Sequence, residues 1–443
     1  MFLTEEDFVT NSETKNFSQN VSSSYHLGGK CSGECKNDSL NVPKLRFKGY
    51  NYNYDKIPLK NISTRIKRVN SDSTAPTMMI SANCGFIMQS EKYSRDNAGK
   101  SLTKYTIIHK GELAYNHGAS KAKPYGCCFQ IDVDEARIPY VYHCFKIDKN
   151  NYAQYIALYL NNKLLERELR KLVSSSVRMD GLLNISYEDY TNIKLNLPRY
   201  EEQKKIASFL TLIDKKIEKQ KELVELLKKY KRGLLSQIFS QKLRFKDDNG
   251  NYYPNWEEKT LGEVTNNISY GLNAAAKEYD GKNKYIRITD MDETTGKYNK
   301  IDIVSPDCDL SDEYKLKIND LLFARTGAST GKTYLYDEND GEMYFAGFLI
   351  KFSIKEEYCS DFIFYITQTY NYKKWVSVMS ARSGQPGINA KEYSKYKFFC
   401  PVFEEQVKIS NIISKLDNII EKENLQLNSY NDYKKGLLQQ MFI

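Results

Sequence analysis

Two stretches of the chain place apolar residues on alternating four- and three-residue steps. In the first, Ile206, Leu210, Ile213, Ile217, Val224, Leu227, Leu234 and Ile238 keep that rhythm, and Gln220 and Lys231 complete it. In the second, Ile409, Ile413, Leu416, Ile420, Leu427, Tyr430, Leu437 and Met441 do the same, completed by Glu423 and Lys434. This is a heptad seam, and it predicts two amphipathic helices. Pro198 and Pro401 stand just ahead of the stretches, and acids follow them, as favours a helix N-terminus. Each helix of about 36 residues would be about 54 Å long.

The two stretches are copies of each other. Residues 197–239 align with 400–442 at a constant offset of 203, without a gap, and are identical at 17 of 43 positions. A shorter echo links Lys44-Leu45-Arg46-Phe47-Lys48 to Lys242-Leu243-Arg244-Phe245-Lys246. The chain is therefore a tandem: an opening element, a globular segment and a long helix, then the same again. Parallel, in-register pairing of the helices would set Lys231 against Lys434 inside the seam, two like charges in a partly desolvated place. Antiparallel pairing avoids this, and is the expectation. The alternative is that each helix packs only on its own globular segment.

Between the helices, short Tyr-, Ile- and Phe-rich runs alternate with Gly, Asn and Asp. Lys284–Ile288 and Met343–Phe345 read as strands, and 152–172 and 361–378 as helical. The expected fold class is α+β: two tandem α/β recognition domains separated by two long antiparallel coiled-coil helices. The expected boundaries are an N-terminal extension at 1–41, a first domain at 42–197, a spacer helix at 198–241, a second domain at 242–400 and a second spacer helix at 401–443. The loops carry the candidate chemistry. Residues 110–126 and 317–334 each run from a strand into Gly-Ala-Ser and then lysine. Small residues there allow close backbone approach, while hydroxyls, amides and cations donate to phosphates and base edges. The candidate DNA-contacting residues are Asn116, His117, Ser120, Lys121 and Lys123 in the first, and Arg325, Thr326, Ser329 and Lys332 in the second. A second loop pair precedes each long helix and adds Arg178, Arg382 and Gln385.

Composition narrows the class. The chain has 443 residues, 41% hydrophobic and 27% charged, enough for two or three packed domains. No run of apolar residues is long enough to cross a membrane, and the start MFLTEEDFVT has neither a basic n-region nor an apolar h-region, so a cytoplasmic location is expected. The nine cysteines are irregularly spaced, unlike a secreted disulfide framework. Cys31 and Cys35 with His26 lack a fourth metal ligand. The net charge of +9 is concentrated in 49–246, whereas 247–399 is net acidic. That surplus suits a polyanionic partner, and requires the second segment to gather its cations on one face.

Signals that look catalytic fall short. Gly327-x-x-x-Gly331-Lys332-Thr333 has one residue too few between the glycines for a phosphate-binding loop. Pro306-Asp307 with Glu313-Tyr314-Lys315 resembles a nuclease pattern without its strand context. No glycine-rich turn follows a strand to hold S-adenosylmethionine, and the four histidines show no acid–base pairing.

The Pro-x-x-Glu-Glu-Gln-x-x-Ile start, the long helix and the Gly-Leu-Leu-x-Gln-x-Phe end, each present twice, resemble the repeated regions of type I restriction-modification specificity subunits. Tyr253-Pro254-x-Trp256, Leu261-Gly262-Glu263, Leu322–Ser329 and Ser383–Asn389 are similar to segments of that family's recognition domains. The resemblance covers about residues 42–443. It implies a non-catalytic chain whose two recognition domains each read one half of a bipartite site on double-stranded DNA. It also implies two methyltransferase (M) subunits, restriction (R) subunits and no membrane. No cofactor is expected on this chain; S-adenosylmethionine, ATP and Mg²⁺ would sit on the partner subunits. Two other readings are a scaffold that uses the coiled coil to recruit proteins, and a self-contained methylase or nuclease.

Overall fold

The computed structural model describes residues 8–10, 41–92, 99–173, 182–292, 295–381 and 384–443. It falls into two compact units: unit 1 is Met1–Lys219 with Gln426–Ile443, and unit 2 is Gln220–Leu425. Both long helices are shared between them. The first, Tyr200–Phe239, starts in unit 1 and ends in unit 2; the second, Phe403–Gln440, does the reverse. At 40 and 38 residues they slightly exceed the length their period predicts, because each begins only two residues after its proline.

The helices pair antiparallel, and the polar breaks in the seam show why. Within unit 2, Lys231 Nζ lies 2.6 Å from the Asp417 carboxylate, and Gln220 Nε2 donates to Glu423 Oε2 at 2.6 Å. Within unit 1, Lys434 meets Asp214, and Lys216 lies over the Tyr430 ring at 4.5 Å. The like charges that a parallel seam would oppose are each given an acid instead. Lys231 is buried, and burial pulls its pKa down while Asp417 pushes it up. A partnerless lysine there would carry an uncompensated desolvation cost.

Each unit is built on a four-stranded antiparallel sheet of the same order. In unit 1 it is Ser63–Arg65, His143–Ile147, Leu113–Asn116, Cys127–Gln130; in unit 2 it is Thr265–Tyr270, Leu349–Ile354, Asp320–Ala324, Thr333–Leu335. The registers match: Leu113 opposes Phe145 as Leu321 opposes Phe352. The turn before the third-listed strand matches too. It needs a left-handed residue, supplied by Gly111 (φ 90°) in one unit and Asn319 (φ 68°) in the other. The buried acid that follows, Glu112 or Asp320, accepts the backbone N–H of His109 (2.7 Å) or Lys317 (2.8 Å). One sheet face shares a core with a short helix and the long helices: Leu113 and Phe145 of the sheet and Tyr155 of helix Ala153–Leu160 with Ile206 and Leu210 in unit 1, and Phe323 and Phe352 of the sheet and Phe362 of helix Ser360–Thr367 with Ile409 and Ile413 in unit 2.

The repeated motifs are the joints of this core. Arg46 of the first Leu-Arg-Phe donates to both oxygens of Glu202 at 2.7 Å, and Arg244 of the second donates to Glu405 at 3.0 and 3.1 Å. The neighbouring glutamine serves another element. Gln203 accepts from Tyr152 N–H (2.8 Å) and Gln406 from Cys359 N–H (2.9 Å), the N-caps of helices Ala153–Leu160 and Ser360–Thr367.

The two helical stretches anticipated around 152–172 and 361–378 are each broken in two. Asn162 accepts from Leu164 N–H, and Thr369 from Tyr372 N–H, so these side chains start new turns instead of continuing the old ones. The extension also contributes structure: Phe8–Thr10 pairs with Leu45–Phe47, and the Phe8 ring stacks on Phe47 at 4.7 Å.

Candidate nucleic-acid interface

In both units the loop after the strand Leu113–Asn116 or Asp320–Ala324 is knitted to a second segment that comes just before the long helix. In unit 1, Leu183 N–H donates to His117 O at 2.9 Å and Gly118 bridges Leu182. In unit 2, Ile388 N–H donates to Arg325 O at 3.0 Å, Gly327 N–H to Pro386 O at 2.9 Å, and Thr326 bridges Gly387. Gly327 is left-handed (φ 73°), and a Cβ there would come within 3.2 Å of the Gln385 amide. Register makes His117 the counterpart of Arg325, each being the residue that follows the matched strand.

The expected site residues divide by task. Lys121 and Gln385 are exposed. Asn116 accepts the Gly118 N–H at 2.9 Å and Ser120 the Lys123 N–H at 3.1 Å, so both shape the first loop from within. Thr326, Ser329 and Lys332 are half-buried in the second loop. Arg178 and Arg382 lie outside the described residues, as do His26, Cys31 and Cys35.

Two expectations are corrected. His117 is not presented to a ligand: it is buried, with Nδ1 2.8 Å from Leu183 O and Nε2 2.9 Å from Val141 O, and its ring is stacked on His143 at 5.0 Å. Its place at a strand end, next to the sheet's apolar face, draws it inward. Lys123 donates its Nζ to Asn161 O at 2.8 Å, capping the C-terminus of helix Ala153–Leu160, and burial lowers its pKa.

The look-alike motifs also resolve. Thr333 begins a strand, where a phosphate-binding loop would begin a helix, and its hydroxyl bonds Thr367 at 2.7 Å. Asp307 pairs with Lys277 and Lys315 with Glu342, and no group of three metal-type ligands occurs among the described residues.

One feature of unit 2 has no signal in the sequence. A cleft of 780 Å³ opens beside Arg325, lined by Tyr270, Leu272, Arg287, Ala346 and Phe348 among others. The Arg325 guanidinium lies 5.1 Å from the Tyr270 ring centroid, and its Nε donates to Gly347 O at 3.0 Å. Tyr270 and Phe348 are far from Arg325 in sequence, and only the antiparallel register brings them together.

Comparison with known families decides the class. The pattern of the type I restriction modification DNA specificity domain matches residues 129–228 and 253–429, more than half of the chain. The chain belongs to the type I restriction-modification DNA specificity family. Specificity-family relatives include the type I restriction enzyme MjaVIII specificity subunit of Methanocaldococcus jannaschii. It is 26% identical over 314 residues, which span 66% of this chain and 70% of that one. The StySPI specificity subunit of Salmonella potsdam is 22% identical over 289 residues, 62% of each chain. Among solved structures, the type I restriction-modification S subunit from M. genitalium shares the specificity-family fold with a TM-score of 0.57 at 15% identity, over 91% of this chain and 99% of that one. No helix of the described residues is long and apolar enough to cross a membrane.

Proposed function

We propose that this chain is the DNA-specificity subunit of a type I restriction-modification enzyme. Units 1 and 2 each read one half of a bipartite site on double-stranded DNA. The chain directs adenine-N6 methylation and ATP-dependent cleavage, both performed by partner subunits in the cytoplasm. The observation that carries this is the duplication: the same sheet, in the same register, with the same knitted loop pair, occurs once per unit, joined by two antiparallel helices. A two-part site needs two such readers, and this chain carries both.

The division of labour follows from the side chains. Exposed Lys121 and Gln385, with backbone groups of the small-residue loops, are suited to phosphates and base edges. Hydrogen bonds within the loops, such as Gly118 N–H to Asn116 and Lys123 N–H to Ser120, hold them in place, and no part in chemistry is assigned to these residues. Two methyltransferase subunits and the restriction subunits are the proposed partners, and S-adenosylmethionine, ATP and Mg²⁺ are assigned to them.

The test is a methylome. The chain is co-expressed with its methyltransferase subunit in a host free of adenine methylation, and N6-methyladenine is mapped by long-read sequencing. A split motif with a fixed unspecified gap, absent when this chain is omitted, is expected. A stable complex that produces no motif would overturn the proposal in favour of a protein scaffold.

A further inference from the structure

The cleft beside Arg325 is lined more by apolar and aromatic groups than by donors and acceptors. Edges are read by donors and acceptors. Here most of the wall is apolar or flat: Leu272, Ala274, Ala276 and Ala346, with the rings of Tyr270 and Phe348, and Asn273 and Thr289 add polar groups beside them. Both rings are solvent-exposed, Phe348 at 60% and Tyr270 at 44%. Flat aromatic surfaces of this kind bind the face of a base, and a face is reachable only when the base has left the stack. Beside the cleft two backbone segments run close together: a Cβ on Gly271 would lie 2.2 Å from Ala346 O, so only glycine fits there. A cleft of 780 Å³ is within the range of small-molecule sites.

The cation at its mouth is held in advance. Arg325 N–H donates to Phe348 O at 3.1 Å, its Nε to Gly347 O at 3.0 Å, and its plane lies over Tyr270. Its two terminal nitrogens have no partner among the described residues, and they form a fork suited to a phosphate. Arg287, the other arginine of the lining, is already neutralised by Asp290 at 2.9 Å and Asp302 at 3.4 Å. In unit 1 the matching places hold buried His117 and, two residues past Arg65 as Tyr270 is two past Ile268, Lys67. Among the described residues the arrangement therefore occurs in unit 2 alone.

We propose that this cleft receives an unstacked thymine, the one left without a partner when the target adenine of that half-site is extruded for methylation. Tyr270 and Phe348 flank its face, and Arg325 holds the adjoining phosphate. This rests on the function proposed above, since adenine-N6 methylation requires the adenine to leave the duplex.

Permanganate oxidises the 5,6 double bond of thymines that are not covered by a neighbour, so it reports the thymine directly. The complex of this chain with its methyltransferase subunits is assembled on a duplex carrying the mapped motif, with an unreactive S-adenosylmethionine analogue. The thymines opposite the two methylated adenines are then followed. With the native chain, the unit 2 thymine is protected. In Phe348→Ala and Tyr270→Ala it becomes at least about fivefold more reactive, in keeping with the loss of one aromatic stacking partner. The thymine of the other half-site keeps its native reactivity in the same tube, which reports that the variants are folded and bound. Equal reactivity of both thymines in native and variant complexes would overturn the proposal. So would an Arg325→Ala complex that binds more weakly while both ring variants leave the pattern unchanged, since that is the behaviour of a backbone-docking surface. Failure of the underlying function is a separate result, because it gives no split motif on which to build the duplex.

Discussion

Glu202 and Glu405 look in the sequence like ordinary first-turn acids of a helix. In the structure each accepts an arginine from the Leu-Arg-Phe element, buried Arg46 or half-buried Arg244, and each is also reached by an aromatic donor, Tyr54 at 3.2 Å or Trp256 at 3.0 Å. Removing one member leaves the other charge buried and alone. Glu202→Ala is therefore expected to destabilise unit 1 by about 3–5 kcal/mol, read by chemical denaturation. A change below about 1 kcal/mol would mean that the pair is not desolvated. His143 supplies a pH dependence. Burial, the largest effect, holds its pKa below 6.5, with Nε2 set 2.9 Å from Ile185 O. The unfolded chain takes up its proton before the folded one does. The stability His143 contributes is therefore present above 6.5 and lost as pH falls through the lower folded value. Melting at about pH 5.5 should be depressed relative to about pH 7.5, and His143→Gln should flatten that difference. An unchanged slope in the variant would assign the effect to other groups.

For the helices, sequence was a good guide to what pairs and a poor guide to what touches. The seam positions, the antiparallel sense and the role of Lys231 all follow from a period of 3.5 and a dislike of adjacent like charges. The acids that answer the lysines were harder to read, because Asp214 and Asp417 lie one position past the seam residues Ile213 and Leu416 and look like surface charges. The same limit applies to the loops. Their small-residue composition marked them, but whether a side chain faces outward depends on strand register. Register turned His117 inward and brought Tyr270 beneath Arg325. A charge swap tests the seam. Lys231→Asp should destabilise by about 1–3 kcal/mol through a buried like-charge contact with Asp417, and adding Asp417→Lys should restore most of the loss. Denaturation of the native, single and double variants measures the coupling, and simple additivity would contradict direct pairing.

For the whole molecule, the two units repeat one design with different loop contents, so their specificities should separate. Lys121→Glu and Gln385→Ala are each expected to alter or abolish recognition at only one half of the methylated motif, as read by long-read sequencing. A variant that changed both halves equally would indicate that its loop serves assembly and not reading. The repeat has one more consequence. Asp214 answers Lys434 and Lys231 answers Asp417, which is the same contact made twice, because Asp214 and Asp417, like Lys231 and Lys434, occupy matching places in the two copies. Each helix thus carries both halves of its own lock. The tandem chain therefore holds two copies of one self-complementary helix, and a fragment carrying a single copy has the information to pair with itself and to address a palindrome.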